Sequence, residues 1–216
     1  MKRSAWRYLW TAHDIRKKLL ITSFLMALYR LASHGPVPGA NSDVMKSIIA
    51  GGGAAGTLTG LLDMFSGGTV SKFSVLAIGV YPYITAQIIL QLLVPIIPAW
   101  QKRMEEDPRE GQKWMEKWTY YLSVPMAFLN AVGQINIFNS LASQAGYGLV
   151  ISDFNLFGSS WLSSWTIVLS MTGGTMFGIW LGELISEFGI RNQGLSLIIF
   201  AGIVAQIPAN LQVIMA

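Results

Sequence analysis

Charge is distributed very unevenly along this chain, and that distribution limits the folds open to it. Five of the 11 acidic residues fall between positions 105 and 116, while long apolar stretches elsewhere carry no charge. Hydrophobic residues make up 52% of the 216 residues and charged residues only 12%, about half the charged share of a typical soluble domain. A soluble fold could not cover its surface with so few charges. The pattern therefore predicts an all-α integral membrane protein.

Five apolar segments predict transmembrane helices. The predicted spans are residues 19–33, 73–97, 118–138, 161–181 and 194–215. The first span has roughly the length of a signal-peptide core, but no small-x-small cleavage site follows it, so we expect it to be retained. Residues 1–18 then form a basic segment ahead of the first span.

Basic residues cluster at one set of span ends. Of the 15 Lys and Arg residues, twelve lie in residues 1–18, in the loop 101–117 or at position 191, against two, Lys46 and Lys72, in loops on the other side. Cytoplasmic loops of membrane proteins carry the excess of Lys and Arg. We therefore expect a cytoplasmic N-terminus and a last span that ends near the outer face.

A glycine-rich stretch, residues 50–56, precedes an apolar segment that is too short to cross a bilayer. We predict that residues 58–68 form a half-helix that enters the membrane region and turns back at Ser66-Gly67-Gly68. Irregular backbone at membrane depth is tolerated only where it is buried in protein or lines a water-filled cavity. The segment therefore indicates a pore or a substrate site, although the glycines alone would also fit a loose outer loop.

Five groups of short motifs occur in a fixed order along the chain. They are His34-Gly35-Pro36-Val37-Pro38-Gly39; Asp63-Met64-Phe65-Ser66-Gly67-Gly68; Gly79-Val80-Tyr81-Pro82-Tyr83-Ile84-Thr85-Ala86 with Gln91-Leu92-Leu93; Gly174-Thr175-Met176-Phe177 with Trp180-Leu181-Gly182-Glu183; and Phe200-Ala201-Gly202-Ile203-Val204-Ala205. Together they resemble the SecY family of protein-conducting channels, and residues 19–216 resemble the first half of its ten-span fold. The resemblance implies the central subunit of a channel that translocates unfolded preproteins and inserts membrane proteins.

The resemblance also implies three sets of site residues. An aliphatic pore ring would include Val80, Ile84, Leu195 and Ile199. A plug would include Leu61, Leu62, Asp63, Met64, Phe65, Ser66, Gly67 and Gly68. A lateral gate would include Thr85, Gln87, Gln91 and Asn130. Each ring pair is spaced i, i+4 and so faces one side of its helix, and aliphatic rings can gate by dewetting.

Each set has a structural alternative. The ring residues could simply pack against other helices or face lipid, and the amides could hydrogen-bond between helices, which contributes only about 0.6 kcal/mol on average. The turn at residues 189–194 is one residue longer than the family's usual turn. The assignment of Leu195 therefore depends on alignment backward from Phe200-Ala201-Gly202.

The sequence contains no catalytic constellation, phosphate-binding loop or metal-ligand spacing. We therefore expect a protein that is not an enzyme and that uses no cofactor and no metal. The resemblance implies that its partners are SecE, SecG, the motor ATPase SecA, the ribosome, a nascent chain or preprotein with a signal sequence, membrane lipid and a C-terminal half of the channel. It implies the bacterial plasma membrane, or the thylakoid membrane, as the location.

Two other functions fit the predicted half-helix less well. Half of a secondary transporter could place such a helix at its substrate site, but it should carry charged residues in mid-span to couple ions. Here the mid-span polar residues are mostly Gln, Asn, Ser and Thr. A membrane scaffold subunit would need no pore at all. Since five spans cannot close a pore alone, we expect the chain to be a fragment of a longer channel or one piece of a split channel.

Overall fold

A computed structural model describes residues 13–51, 53–66, 68–151, 154–158, 160–190 and 193–215, with the backbone alone for residues 13, 53–55, 64–65 and 205–215. These residues form eight helices and no strand, so the all-α class is confirmed for the described part of the chain. The helices are α1 (His13–Ala32), α2 (Ser42–Ala50), α3 (Gly53–Ser66), α4 (Tyr81–Leu93), α5 (Pro98–Glu106), α6 (Pro108–Gln144), α7 (Trp161–Phe188) and α8 (Gly194–Met215).

One of these helices, α7, is by itself long and apolar enough to cross a membrane. Helices α4 and α5 meet that standard only when they are counted as one span, and the chain bends by 96° between them. The predicted spans 19–33, 118–138 and 194–215 lie almost wholly within α1, α6 and α8. Within the described residues, the number of membrane spans therefore stays a prediction.

The prediction of one continuous helix over residues 73–97 is wrong. Residues 69–80, here called the turn segment, form consecutive turns, and α4 begins only at Tyr81. Phe73 has a φ of 44°, a left-handed conformation that no residue of an α-helix adopts. Helix α4 ends at Leu93 because Pro95, just beyond it, has no N–H to continue the helical bonding and its ring obstructs the preceding turn.

The prediction of a loop over residues 101–117 is also wrong, because this charged segment is helical in α5 and in the first turns of α6. Asp107 caps α6, and its Oδ1 accepts the backbone N–H groups of Arg109 at 3.1 Å and Glu110 at 3.2 Å. Pro108 follows at the first helical position, where the missing N–H costs nothing. Helix α6 then continues to Gln144, six residues beyond the predicted end of the third span at residue 138.

Helices α2 and α3 form a hairpin that the sequence reading did not anticipate as a pair. Asn41 caps α2 by accepting the N–H groups of Asp43 and Val44, and Met45 and Ile48 bury its apolar face. Helix α3 contains the apolar part of the predicted half-helix and, at about 21 Å, is shorter than the roughly 30 Å apolar core of a bilayer.

The glycines around this hairpin serve close packing. A Cβ atom at Gly56 would lie 2.9 Å from the carbonyl oxygen of Ile48, so the glycine lets the two helix backbones approach. Gly51 has ordinary right-handed helical angles, and a Cβ there would lie 2.7 Å from the hydroxyl of Tyr147. At these two positions glycine is needed for close packing and not for backbone freedom.

Helix α7 packs against α1, α6 and α8, and a row of glycines on one face allows this. A Cβ at Gly174 would collide with the backbone and side chain of Val75 in the turn segment. A Cβ at Gly178, one turn later, would lie 3.3 Å from side-chain atoms of Leu76 and Tyr29. Small residues four positions apart let membrane helices and loops approach the helix backbone closely. The turn segment therefore packs directly against α7.

The same face continues to α8. Gly182 lies against the start of that helix: a Cβ on Gly182 would be 2.6 Å from Cδ2 of Leu195 and 3.3 Å from Cδ1 of Ile198. A Cβ on Gly194 would in turn collide with the carbonyl oxygen of Gly182. The Ser186 hydroxyl accepts the backbone N–H of Gly194 at 3.0 Å, which fixes the start of α8 on the last turns of α7.

We predict that Gly174→Ala lowers the free energy of unfolding by about 1–3 kcal/mol, because the new methyl group has no space beside the backbone of Val75. Gly173→Ala is the matched control, since no atom lies within 4 Å of a Cβ at that position. The control should be neutral or stabilising by up to about 1 kcal/mol from helix propensity. Unfolding of the two purified variants in detergent would be compared; equal effects would contradict this account of the packing.

Candidate functional site

A cavity of about 590 Å³ lies where α3, α4, α6, α8 and the turn segment meet. Most of the side chains that line it are apolar. None of the lining residues, all within the described ranges, is Lys, Arg, Asp or Glu. Hydrogen-bonding side chains come from Ser66, Asn130, Gln134 and two tyrosines. The cavity can therefore take up apolar groups and make a few neutral hydrogen bonds.

Three of the four predicted ring residues line this cavity. Val80 is the last residue of the turn segment, and Ile84 lies one turn into α4. The N–H of Ile84 donates to the Val80 carbonyl at 3.3 Å, so the i, i+4 relation expected for a single helix holds although the helix begins later. Ile199 reaches the cavity from α8.

The fourth ring residue, Leu195, does not line the cavity. Its side chain packs against Gly182 and joins an apolar cluster with Ile179 and Ile185 of α7. The same cluster includes Val80, Ile84 and Ile199, so Leu195 differs from them in its distance from the cavity and not in being packed.

The predicted plug residues divide among several roles. Leu62 and Ser66 line the cavity and Leu61 does not, although both leucine side chains are about half exposed. Gly68 has a φ of 82°, which a glycine adopts without strain, and it ends α3 by donating its N–H to the Asp63 carbonyl at 2.8 Å. The side chains of Met64 and Phe65, and all of Gly67, lie outside the described residues.

Asp63 holds the turn that follows α3. Its Oδ1 accepts the backbone N–H of Ser71 at 2.7 Å, and its carbonyl accepts the Ser66 hydroxyl at 3.1 Å. The hydroxyls of Thr69 and Ser71 donate to nearby backbone carbonyls, so the turn is closed by its own side chains. A carboxylate that accepts a backbone N–H makes one of the stronger hydrogen bonds in proteins. Asp63 therefore fixes the conformation of the chain directly after α3.

The turn segment is tied to the chain that follows α1 by backbone pairing. The N–H of Val37 donates to the Phe73 carbonyl at 3.0 Å, and the N–H of Val75 donates to the Gly35 carbonyl at 3.0 Å. Pro36 and Ser74 thus form an isolated antiparallel bridge. The sequence motif around Pro36 has a structural role here: it holds the segment that carries Val80.

Phe73 sits at the centre of this bridge in a strained backbone conformation. Its φ of 44° is rare for a bulky residue, and such strain persists only where the surroundings over-determine it. Its ring is fully buried and packs edge-on against Phe138 of α6, with ring centroids 6.0 Å apart. The buried ring and the bridge together hold the turn segment between α1 and α6.

The predicted gate residues do not form one cluster. Asn130 lines the cavity, with its amide Nδ2 donating to the Met126 carbonyl of its own helix at 2.8 Å. Thr85 donates its hydroxyl to the Tyr81 carbonyl, also within its own helix. Thr85, Gln87 and Gln91 do not line the cavity, and Gln91 is exposed.

Sequence reasoning missed Gln134, which lines the cavity one turn beyond Asn130 on α6. Its Oε1 is buried and accepts no hydrogen bond from any described residue. The i, i+4 spacing from Asn130 in an otherwise apolar stretch was the available signal, because it places both amides on one face.

A metal site is not formed by the described residues, since they contain no group of three or more His, Asp or Glu side chains that could hold an ion. The polar groups of the cavity are amides and hydroxyls, which suit hydrogen bonding more than metal binding. The wall of the cavity is uncharged and suits apolar groups that make a few neutral hydrogen bonds.

Comparison with known proteins identifies the family. The SecY family model matches residues 74–216, which include the cavity residues of α4, α6 and α8. The chain belongs to the SecY family. It is 40% identical over 205 residues to the protein translocase subunit SecY of Mycobacterium bovis, covering 94% of this chain and 45% of the relative. Matches to that subunit from Streptomyces coelicolor (40%) and Bacillus licheniformis (38%) cover 92% and 94% of this chain and 44% of each relative.

This SecY-family chain therefore spans less than half the length of the curated relatives that it matches. The resemblance drawn from the motifs is confirmed, and so is its restriction to the N-terminal part. The relatives are named as translocase subunits and not as enzymes, which agrees with the expectation from the sequence.

We predict that Asp63→Ala speeds amide hydrogen exchange at Ser71 and its neighbours by about tenfold, because the N–H of Ser71 loses a charged acceptor. Asp43→Ala is the control. That carboxylate is 89% exposed and pairs only with the exposed Lys46, so its removal should leave exchange in the turn unchanged. Unaltered exchange at Ser71 in Asp63→Ala would show that other contacts hold the turn.

Proposed function

We propose that this chain supplies the first half of a protein-conducting channel, in which it acts as the central translocase subunit that passes unfolded preproteins across a membrane and inserts membrane proteins. One observation carries the proposal. Residues assigned separately to ring, plug and gate line a single uncharged cavity: Val80, Ile84 and Ile199, with Leu62 and Asn130 beside them.

The aliphatic residues would act as the seal. A constriction of Val and Ile side chains excludes water and ions when it is narrow, because apolar walls dewet. The same side chains can change rotamer and make room for a passing polypeptide without breaking specific bonds. Helix α3 would fill the space beside the ring at rest, with Leu62 and Ser66 facing the cavity, and would move aside during transport.

The lateral gate would open beside α4 and α6, which pack extensively against each other in this chain. Asn130 would mark its inner edge, since it is the predicted gate residue at the cavity wall. In this proposal, two helices of a second half of the channel face α4 and α6, and an apolar signal segment passes between the halves into lipid. Thr85, Gln87 and Gln91 would then contact that second half or lipid.

The chain would cross the membrane five times with its N-terminus in the cytoplasm. Aromatic side chains near the predicted cytoplasmic ends support this placement: Trp100, Trp114 and Trp118 contact one another in a row, edge-on and then tilted, with ring centroids 5.1 and 6.0 Å apart. Arg103 lies over the Trp114 ring at 5.5 Å. Trp and basic residues are enriched at membrane interfaces. The bacterial plasma membrane is the proposed location, with the thylakoid membrane as the alternative.

A channel of this kind needs an external source of energy, because the chain offers no site for nucleotide chemistry in its sequence. We propose that SecA or a ribosome drives the substrate, that SecE and SecG accompany the channel, and that the C-terminal half completes the pore. Family membership and the five predicted spans support these partners.

Site-specific crosslinking tests the proposal. With a photo-crosslinking residue at Val80 or Ile84, a preprotein arrested in transit should be captured efficiently, because both positions line the cavity. Leu169 on α7 is the control position, since its side chain is 56% exposed and does not line the cavity. Capture from Leu169 that equals capture from Val80 and Ile84 would contradict passage through this cavity.

A further inference from the structure

Three large apolar side chains are exposed where the loop after α6 leads into α7. Phe157, Trp161 and Leu162, here called the outer patch, are 95%, 54% and 64% exposed. None of the three lines the cavity. Contiguous exposed apolar groups in a folded protein mark a surface that contacts another protein or a membrane. The outer patch therefore needs a partner that the ring, plug and gate do not supply.

The loop that carries Phe157 is held in place beside that residue. The backbone N–H of Asn155 donates to the Ser164 hydroxyl at 2.9 Å, and the indole Nε1–H of Trp165 donates to the Leu156 carbonyl at 3.2 Å. The side chain of Leu156 packs against the buried core. The fold thus buries Leu156 and turns the next side chain, Phe157, outward. The exposure of Phe157 is a consequence of these contacts and not of a loose loop.

The sequence around the outer patch is almost free of charge. Asp153 is the one charged residue between Lys117 and Glu183. A chain segment of that length in a typical soluble domain would carry about 25% charged residues. A loop that stood in water would be expected to carry more charge and fewer exposed apolar rings. The composition therefore favours apolar surroundings for this end of α7.

The outer patch continues an exposed side of α7. Leu162, Leu169 and Trp180 are about half exposed or more, and spacings of seven and eleven residues put them on one side of the helix. Gly174 and Gly178, which pack against the turn segment, lie on the opposite side. The exposed side is thus turned away from the cavity and from the place where the proposed function puts the second half of the channel.

We infer that the outer patch inserts into the outer lipid leaflet and anchors the outer end of α7 at the boundary between headgroups and acyl chains. The inference rests on the membrane placement in the proposed function, which puts the start of α7 at the outer face. Helix α7 is by itself long and apolar enough to cross a membrane, so its exposed side and the outer patch share one lipid environment. Aromatic side chains are enriched at that boundary, where they help to set the tilt of a helix.

A depth measurement tests the inference. The complete translocase that contains this chain would carry an NBD fluorophore on Phe157→Cys, in vesicles of phosphatidylcholine and phosphatidylglycerol with nitroxide lipids as quenchers. This chain has no cysteine of its own, so in a complex whose other subunits lack cysteine the label goes to one position. Ala145→Cys is the matched control, because Ala145 is exposed and lies in the same connection, beyond the predicted end of the third span.

The label at position 157 should be quenched more by acyl-chain nitroxides than by a water-soluble nitroxide, at a depth of about 5–10 Å into the boundary. The label at position 145 should show the reverse order. Because Phe157 is almost fully exposed, its replacement removes little packing and should leave the fold intact. A label at position 157 that is quenched mainly from water would overturn the inference.

A second measurement separates lipid from protein as the partner. A photo-crosslinking residue at position 157 or 162 should form no adduct with protein, at rest or with a preprotein in transit. Capture of another subunit, of the C-terminal half or of a second copy of this chain would overturn the inference.

The inference and the proposed function fail separately. If Val80 and Ile84 capture the arrested preprotein while the label at position 157 lies in water, only the inference is wrong. If the label lies in lipid while Val80 and Ile84 capture nothing, the proposed function is wrong and the lipid anchor stands.

Discussion

The close contact between Gly174 of α7 and the backbone of Val75 determines where the cavity lies. The turn segment is not a regular helix, and its own backbone hydrogen bonds, such as that from the Ala77 N–H to the Ser74 carbonyl, close single turns. It is held from one side by the glycine face of α7 and from the other by the bridge to residues 35–37. Val80, at the end of this segment, is positioned by contacts made several residues earlier. A side chain at Gly174 would displace the segment, and Val80, a predicted ring residue, with it.

The proposed mechanism requires one part of this arrangement to stay fixed while another part moves. The turn segment is fixed by backbone pairing and by the buried ring of Phe73, which also supports its strained conformation. Helix α3 ends at Ser66, in a turn that Asp63 and Gly68 hold and that its own side chains close, and it packs on α2 and α8. In the proposed mechanism α3 moves together with residues 68–71, which Asp63 holds at the start of the turn segment, while Phe73, Val80 and Ile84 stay in place and keep the ring ready to close again.

Much of the fold could be read from the sequence, and the errors have identifiable causes. Apolar length found α7 and α8, and Asn41 and the Asp107-Pro108 pair were helix-start signals that would have found α2 and α6. The late start of the second predicted helix could have been read in part, because Gly79 and Pro82 are local signals for a helix that begins at Tyr81. The pairing of the turn segment with residues 35–37 could not be read, because it joins parts of the chain that are far apart in sequence. The motifs assigned Val80 and Ile84 to one site, but only the packing shows that Leu195 lies against Gly182 and that Gln134 faces the cavity.

The most direct test of the central claim is an electron cryomicroscopy structure of the translocase that contains this chain, determined with a preprotein arrested in transit. The account predicts polypeptide density in contact with Val80, Ile84 and Ile199, with α3 displaced from the cavity and the bridge between Pro36 and Ser74 intact. Polypeptide density along another route, with α3 still beside Val80 and Ile84, would contradict it.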